Sequence, residues 1–251
     1  MFNIIIPARY ASQRLPGKPL RDIAGKPMIQ HVYERACQSG AKEVVIATDD
    51  QRVADAATHF GAIACMTSDQ HRSGTDRIAE VIQLRGYGDD EIIVNMQGDE
   101  PTMPTQLLSL AAEHCANSGA DIVTAAEWIS DSADVFNPNV VKVVVDDKGY
   151  ALYFSRAPIP WDRSRFSDSD QSTDTAVHSY RRHIGLYAYR AGFVKQYVTW
   201  PAGKLEKLEL LEQLRALEQG KKILVFDTPC DPGFGVDTEE DLAKVIALLS
   251  R

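Results

Sequence analysis

Near-continuous apolar strands alternating with amphipathic helices predict an α/β fold: a Rossmann-like, mostly parallel sheet with helices on both faces and an antiparallel insertion. Two observations carry this expectation. FNIII, EVVIAT and EIIVNMQ are apolar on successive residues, as strands covered on both faces must be. After about residue 137 the texture changes to alternation and tight-turn chemistry.

FNIII forms the first strand, and a loop rich in cations follows it. Pro27 sits where a first helical residue is favoured. Met28, Ile29, Val32, Tyr33 and Ala36 then recur at helical spacing until Gly40 ends the helix. EVVIAT is a second buried strand, closed by Asp49 and Asp50. An alanine-rich helix, the strand AIACM and the polar loop TSDQHRSG come next. TDRIAEVIQLRG is a helix with Thr75 as its N-cap, and EIIVNMQ is a strand that ends in GDEP. VVKVVVDDKGYALYFSR reads as two strands joined by an Asp-Asp-Lys-Gly turn. FSDSDQSTDTAVHS lacks apolar anchors, so a mobile surface loop is expected over about residues 164–180. RRHIGLYAYR alternates as a strand, KLEKLELLEQLRALEQG is one amphipathic helix, KILVFD a strand and EEDLAKVIALLS the closing helix. With no repeat and no linker, residues 1–251 form one α/β domain carrying an antiparallel insertion at about 137–190.

The chain has 27 Lys+Arg against 35 Asp+Glu, a formal net charge of -8, which argues against nucleic-acid or anionic-membrane partners. No apolar run approaches the ~20 residues of a membrane span. The N-terminus enters a core-type strand without a leader, so cytoplasmic residence is the expectation. Cys37, Cys65, Cys115 and Cys230 form no C-x-x-C pair and read as buried thiols in a reducing compartment. The six histidines show no metal-binding spacing.

The first loop is the strongest functional signal. PARYASQRLPGKPLRDIAGKP gathers Arg9, Arg14, Lys18, Arg21 and Lys26 against Asp22 alone. In an open parallel sheet, ligands bind beyond the carboxyl ends of the strands, so these cations suit a polyphosphate. Gly17 permits close backbone approach, while Pro16 and Pro19 hold the loop extended. A solvated surface loop is the plainer alternative. There is no G-x-G-x-x-G, and Pro19 stands where a Walker loop needs Ser or Thr.

Asp99 of GDEP and Asp237 of GVDTEEDL fall on the same rim. Carboxylates facing phosphates require a cation between them, and Mg²⁺ is held by one or two carboxylates plus phosphate oxygens. Alternatively Asp99 sits in a turn and Asp237 or Thr238 caps a helix. The TEED run suits a helix start in either case.

IIPARYASQRLPGKPL, ATDD, SGTDR, NMQGDEP, YALYFSR, IPWDR, RHIGLYAYR, LEKLELLEQLRAL and GVDTEEDL together resemble the 3-deoxy-D-manno-octulosonate (Kdo) cytidylyltransferases, in order and over nearly the whole chain. The resemblance departs around residues 164–180. It implies a nucleotidyltransferase domain that converts CTP and Kdo to CMP-Kdo and pyrophosphate for lipopolysaccharide assembly, in a homodimer. Arg9, Arg14 and Lys18 would hold the triphosphate, with Lys18 and Arg9 also catalytic. Mg²⁺ would sit on Asp99 and Asp237, with a second Mg²⁺ held mainly by triphosphate oxygens. Thr48, Ser73, Gly74 and Gln97 match positions that read cytosine and ribose, and Arg156, His183, Tyr187, Glu212 and Gln213 match sugar-site positions. Plainer readings stand beside these: Ser73 and Gly74 as a loop before a helix, Tyr187 as a strand aromatic, Glu212 as a solvated residue. Trp161 reads as packing.

Three rival readings fit parts of this pattern. A nicotinamide oxidoreductase could use Asp49 as its ribose acid, but the glycine fingerprint is missing. A non-catalytic nucleotide- or sugar-binding protein would need no acids opposite the basic loop. Within the cytidylyltransferase class, another acidic sugar stays open as substrate, 8-amino-Kdo or sialic acid.

Overall fold

Ile4, Ile5 and Ile6 of strand β1 (Phe2–Pro7) are fully buried, and they divide between two cores. Ile4 and Ile6 face helices α1 (Met28–Cys37), α2 (Gln51–His59) and α4 (Thr105–Ser118). Ile5 faces α3 (Gly74–Arg85), α6 (Ala191–Tyr197) and α8 (Gln213–Glu218) on the other side. Successive strand residues point to opposite faces, so only a strand covered twice is apolar throughout. The computed structural model describes residues 1–11, 14–71, 73–163 and 179–250. The polar segment FSDSDQSTDTAVHS lies, but for its last residue, outside them.

The remaining strands are β2 (Asp22–Ile23), β3 (Lys26–Pro27), β4 (Glu43–Thr48), β5 (Ile63–Met66), β6 (Ile92–Asn95), β7 (Ile122–Trp128), β8 (Lys142–Val145), β9 (Ala151–Ser155), β10 (Arg181–Arg190) and β11 (Ile223–Asp227). The main sheet runs β11-β7-β10-β6-β1-β4-β5, with β8 joined to β10 and β9. β1 pairs in parallel with β4 and β6, and β7 with β11, whereas β10 is antiparallel to β6, β7 and β8. The sheet is therefore mostly parallel along its path with an antiparallel part, as expected. The chain moves from β1 outward through β4 and β5, then returns to β6 on the other flank. That reversal makes the carboxyl ends of β1 and β6 the switch point where such sheets bind ligands.

Several local expectations change. Helix α3 is capped by Ser73, not Thr75: Asp76 N–H donates to Ser73 Oγ at 3.1 Å and Ser73 N–H to Asp76 Oδ2 at 3.2 Å. Pro27 precedes α1 as its N-cap instead of beginning it. One reading holds: Thr238 caps α9 (Glu239–Leu249), and the TEED acids fill its first turn, as a helix start requires. Only Cys115 is buried; Cys37 and Cys230 are exposed and Cys65 is intermediate. Helical spacing alone did not report which of these thiols face the core.

The single amphipathic helix expected at 204–220 is two, α7 (Lys204–Glu209) and α8, broken at Leu210 with φ +54°. The break permits a buried ion pair in which Arg215 Nε donates to Glu206 Oε2 at 2.7 Å. Nine residues of continuous helix would set those residues roughly 13 Å apart along the axis. Tertiary contacts override a favourable helical pattern here.

Candidate active site

The loop after β1 turns at Gly17 and enters a short 3₁₀ turn, Lys18–Leu20. Lys18 is thereby directed at the loop after β6. Its ammonium donates to Asp99 Oδ2 at 2.7 Å, Val236 O at 2.8 Å and Asp237 Oδ1 at 2.9 Å. Its side chain is only 12% exposed. Burial works against that charge, but Asp99 and then Asp237 outweigh it and hold the Lys18 pKa above its ordinary value. The two acids are joined through the backbone as well, because Val236 N–H donates to Asp99 O at 2.9 Å.

Close approach fixes this arrangement. A Cβ on Gly98 would stand 2.8 Å from Pro7 O, so only glycine lets the β6 loop reach the end of β1. A Cβ on Gly235 would stand 2.8 Å from Glu100 Oε1. Burial, reinforced by Asp99, pushes the Glu100 carboxyl up to about 8.

The five cations of the first loop separate. Arg14 reaches Asp237 Oδ2 at 3.0 Å, and Arg9 Nη2 donates to His71 O at 2.7 Å, tying the loop to the approach to α3. Arg21 pairs with Glu239 and Lys26 with Glu34, both away from the acid pair. The cluster is thus part site, part solvated surface.

A cavity of about 570 Å³ opens beside Asp237. Gly74 and Gln97 line it, as do His183, Tyr187, Glu212 and Gln213. Gly74 begins α3, so the helix N-terminus faces the cavity, and Thr75 Oγ1 donates to Glu212 Oε2 at 2.7 Å. Burial raises the Glu212 pKa despite that hydrogen bond. Tyr187 Oη donates to Gln213 Oε1 at 3.3 Å, which leaves the buried Gln213 Nε2 without a partner and next to the cavity.

His183 is fixed in one form. Thr124 Oγ1 lies 2.7 Å from Leu186 O and 3.1 Å from Ile184 O, so its single proton goes to a carbonyl. The hydroxyl must then accept from His183 Nε2, 2.9 Å away. Burial lowers the His183 pKa to about 3, and the ring is neutral. The register of β10 against β7 shifts between Ile184 and Tyr187, a bulge of the kind that re-aims side chains near sites.

Other expected residues stand apart from the cavity. Thr48 is fully buried at the end of β4, where its hydroxyl accepts from Asp50 N–H at 3.2 Å. Ser73 spends its hydroxyl on the α3 cap. Arg156 is not in the lining: its guanidinium donates to Glu209 O at 2.7 Å and Pro138 O at 2.9 Å. Arg182 and Glu100 are in the lining, and sequence reasoning passed over both. Glu100 adjoins Asp99 in GDEP, and that adjacency was an available signal. Arg182 precedes His183, and strict alternation would send the two to opposite faces. Residues 182–185 all line the cavity ahead of the bulge, so alternation does not hold there.

Residues 3–223 match the cytidylyltransferase family model. The chain is 57% identical to the 3-deoxy-manno-octulosonate cytidylyltransferase of Vibrio vulnificus strain CMCP6, over 99% of this chain and 98% of that protein. It is 54% identical to the protein of the same name from Idiomarina loihiensis, over 97% and 96%. A solved structure of CMP:2-keto-3-deoxy-manno-octonic acid synthetase complexed with CTP superimposes with a TM-score of 0.88 at 43% identity, covering 100% of this chain and 99% of that one.

Proposed function

The chain belongs to the cytidylyltransferase family, among the 3-deoxy-manno-octulosonate cytidylyltransferases, and from that premise we propose how its own residues carry the reaction. The reaction joins CTP and Kdo to give CMP-Kdo and pyrophosphate. The anomeric 2-hydroxyl oxygen of Kdo bonds to the α-phosphorus of CTP, the bond from that phosphorus to the leaving oxygen breaks, and the hydroxyl loses its proton. Catalysis of this kind rests on alignment and on neutralising charge around the transferred group.

The observation that carries the reading is the Lys18–Asp99–Asp237 cluster at the switch point, opening onto a cavity lined by polar groups. Arg9, Arg14 and Lys18 take the triphosphate, and Gly74 and Gln97 face the nucleoside. His183, Tyr187, Glu212 and Gln213 receive the sugar hydroxyls. Neutral His183 offers an acceptor at Nδ1, and Gln213 Nε2 offers a donor that has no partner within the protein. Both suit a polyol.

Asp99 and Asp237 present carboxylate oxygens to one ammonium at 2.7 and 2.9 Å, a hard donor pair that fits Mg²⁺ when phosphate oxygens complete its shell. When bound there, Mg²⁺ supplies charge neutralisation at the α-phosphate.

Cytoplasmic residence and a homodimer remain part of this proposal; no helix among the described residues is long and apolar enough to cross a membrane. The test is a pyrophosphate-release assay crossing four nucleoside triphosphates with Kdo, 8-amino-Kdo and sialic acid, with and without EDTA. CTP with Kdo should turn over and EDTA should stop it. Faster turnover with 8-amino-Kdo or sialic acid would reassign the sugar.

A further inference from the structure

We propose that Arg182 binds the carboxylate of the sugar acid and so sets the preference for an acidic sugar; the inference rests on the cytidylyltransferase reading above. A carboxylated substrate needs a cation where it lies, and Arg156, the arginine among the matched sugar-site positions, spends its guanidinium on the carbonyls of Glu209 and Pro138. Arg182 is the one arginine or lysine among the described residues lining the cavity. The other acidic or basic side chains of the lining are all acids, Glu100, Glu212, Asp237 and Asp241. An anion entering such a cavity finds its attractive charge at this guanidinium.

The mounting of Arg182 suits the task. It stands opposite Glu127 in the β10–β7 register, and its Nε lies 2.7 Å from Glu127 Oε1. A contact through Nε fixes the plane of the guanidinium while using the edge away from the two terminal nitrogens. Those terminal nitrogens can then form a paired hydrogen bond with a carboxylate. The side chain is 34% exposed, accessible to a ligand yet partly desolvated. Pairing with the half-buried Glu127 also keeps the guanidinium from standing in the cavity wall as an isolated charge.

Placement supplies the second argument. In Kdo the carboxylate and the attacking hydroxyl are borne by the same carbon, carbon 2. The carboxylate partner must therefore lie at the acid-pair end of the cavity, not at the polyol end. Arg182 lines the cavity near enough to Glu100 for its charge to act on that carboxyl, and Glu100 adjoins Asp99 in the chain and packs against Gly235, two residues before Asp237. His183, Tyr187, Glu212 and Gln213 are left for the hydroxyl-bearing tail.

The test compares Kdo with its neutral C1 amide by pyrophosphate release at saturating CTP and Mg²⁺. Wild-type enzyme should prefer the acid strongly. Arg182→Gln should raise the KM for Kdo about thirtyfold or more, leave the KM for CTP within about twofold, and reduce the acid-to-amide ratio of kcat/KM at least about tenfold, on the scale of one lost charge-assisted pair. Arg182→Lys should recover part of that ratio. Because Arg182→Gln strands Glu127, the double variant with Glu127→Gln is run beside it, melting temperatures included, and should show the same loss of ratio in a stable protein. Arg156→Ala should lower the melting temperature and spare the ratio. An active wild type whose acid-to-amide ratio survives Arg182→Gln would overturn the assignment of Arg182 alone. A wild type that releases no pyrophosphate from CTP and Kdo would overturn the cytidylyltransferase reading and this inference with it.

Discussion

Lys18 Nζ lies 2.7 Å from Asp99 Oδ2, and the same ammonium reaches Asp237 Oδ1 at 2.9 Å. One side chain from the first loop thus closes two acids that are 138 residues apart in the chain. The lysine therefore serves folding as well as ligand binding. Lys18→Ala should cost about 1–2 kcal/mol of stability without ligand, because two carboxylates then face each other with a donor removed. CTP with Mg²⁺ should raise the melting temperature of the wild type by mass action and of the variant much less. Melting curves against CTP concentration read both effects. Identical shifts and equal turnover would move the phosphate cradle to another loop.

Asp99→Asn should keep the fold and lower turnover at least a hundredfold, the order of loss when one preorganised electrostatic contact to a transition state is removed. Circular dichroism checks the fold, and a Mg²⁺ titration of kcat checks the mechanism. Near-normal turnover at saturating Mg²⁺ would take Asp99 out of it.

Acid should destabilise the protein in a window set by His183. In the folded chain burial holds its pKa at about 3, against 6.5 for the free side chain. Below pH 6.5 the unfolded chain takes up a proton that the native site refuses, so this contribution to stability is present above that value and is lost as pH falls toward 3. His183→Gln keeps a donor for Thr124 and cannot titrate. Melting temperatures from pH 4 to 8 should fall less steeply for the variant at the acid end. Parallel curves for the two proteins would locate the acid sensitivity elsewhere.

Much of this was legible in the sequence because the strands are covered on both faces, and near-continuous apolar runs betray that burial. The position of the basic loop followed from topology alone. What escaped was set by contacts distant in the chain. Ser73 and Thr75 both suit a cap, and the choice falls to Ser73 once Thr75 turns to Glu212. Arg156 matched a motif, yet Glu209 and Pro138 had claimed its guanidinium. Arg182 lay behind a strand irregularity that no periodicity announces.

The break at Leu210 supplies the last prediction. Leucine in a left-handed conformation costs roughly 1–2 kcal/mol, and at 76% exposure Leu210 regains little by burial. The bend survives because it brings Arg215 onto Glu206 and holds Glu212 and Gln213 at the cavity. Arg215→Met leaves a buried carboxylate unpaired and should cost about 3 kcal/mol or more. Adding Glu206→Leu removes that charge and should return most of the lost stability, since an apolar pair can replace a buried ion pair. The bend then loses its charged tether, so the KM for Kdo should stay raised in the stable double variant while the KM for CTP is unchanged. Chemical denaturation and steady-state kinetics on the same three proteins separate the two effects. If Kdo binding returns with stability, the ion pair serves folding only, and the placement of Glu212 and Gln213 is owed to the tether from Glu209 to Ser155, at 2.6 Å.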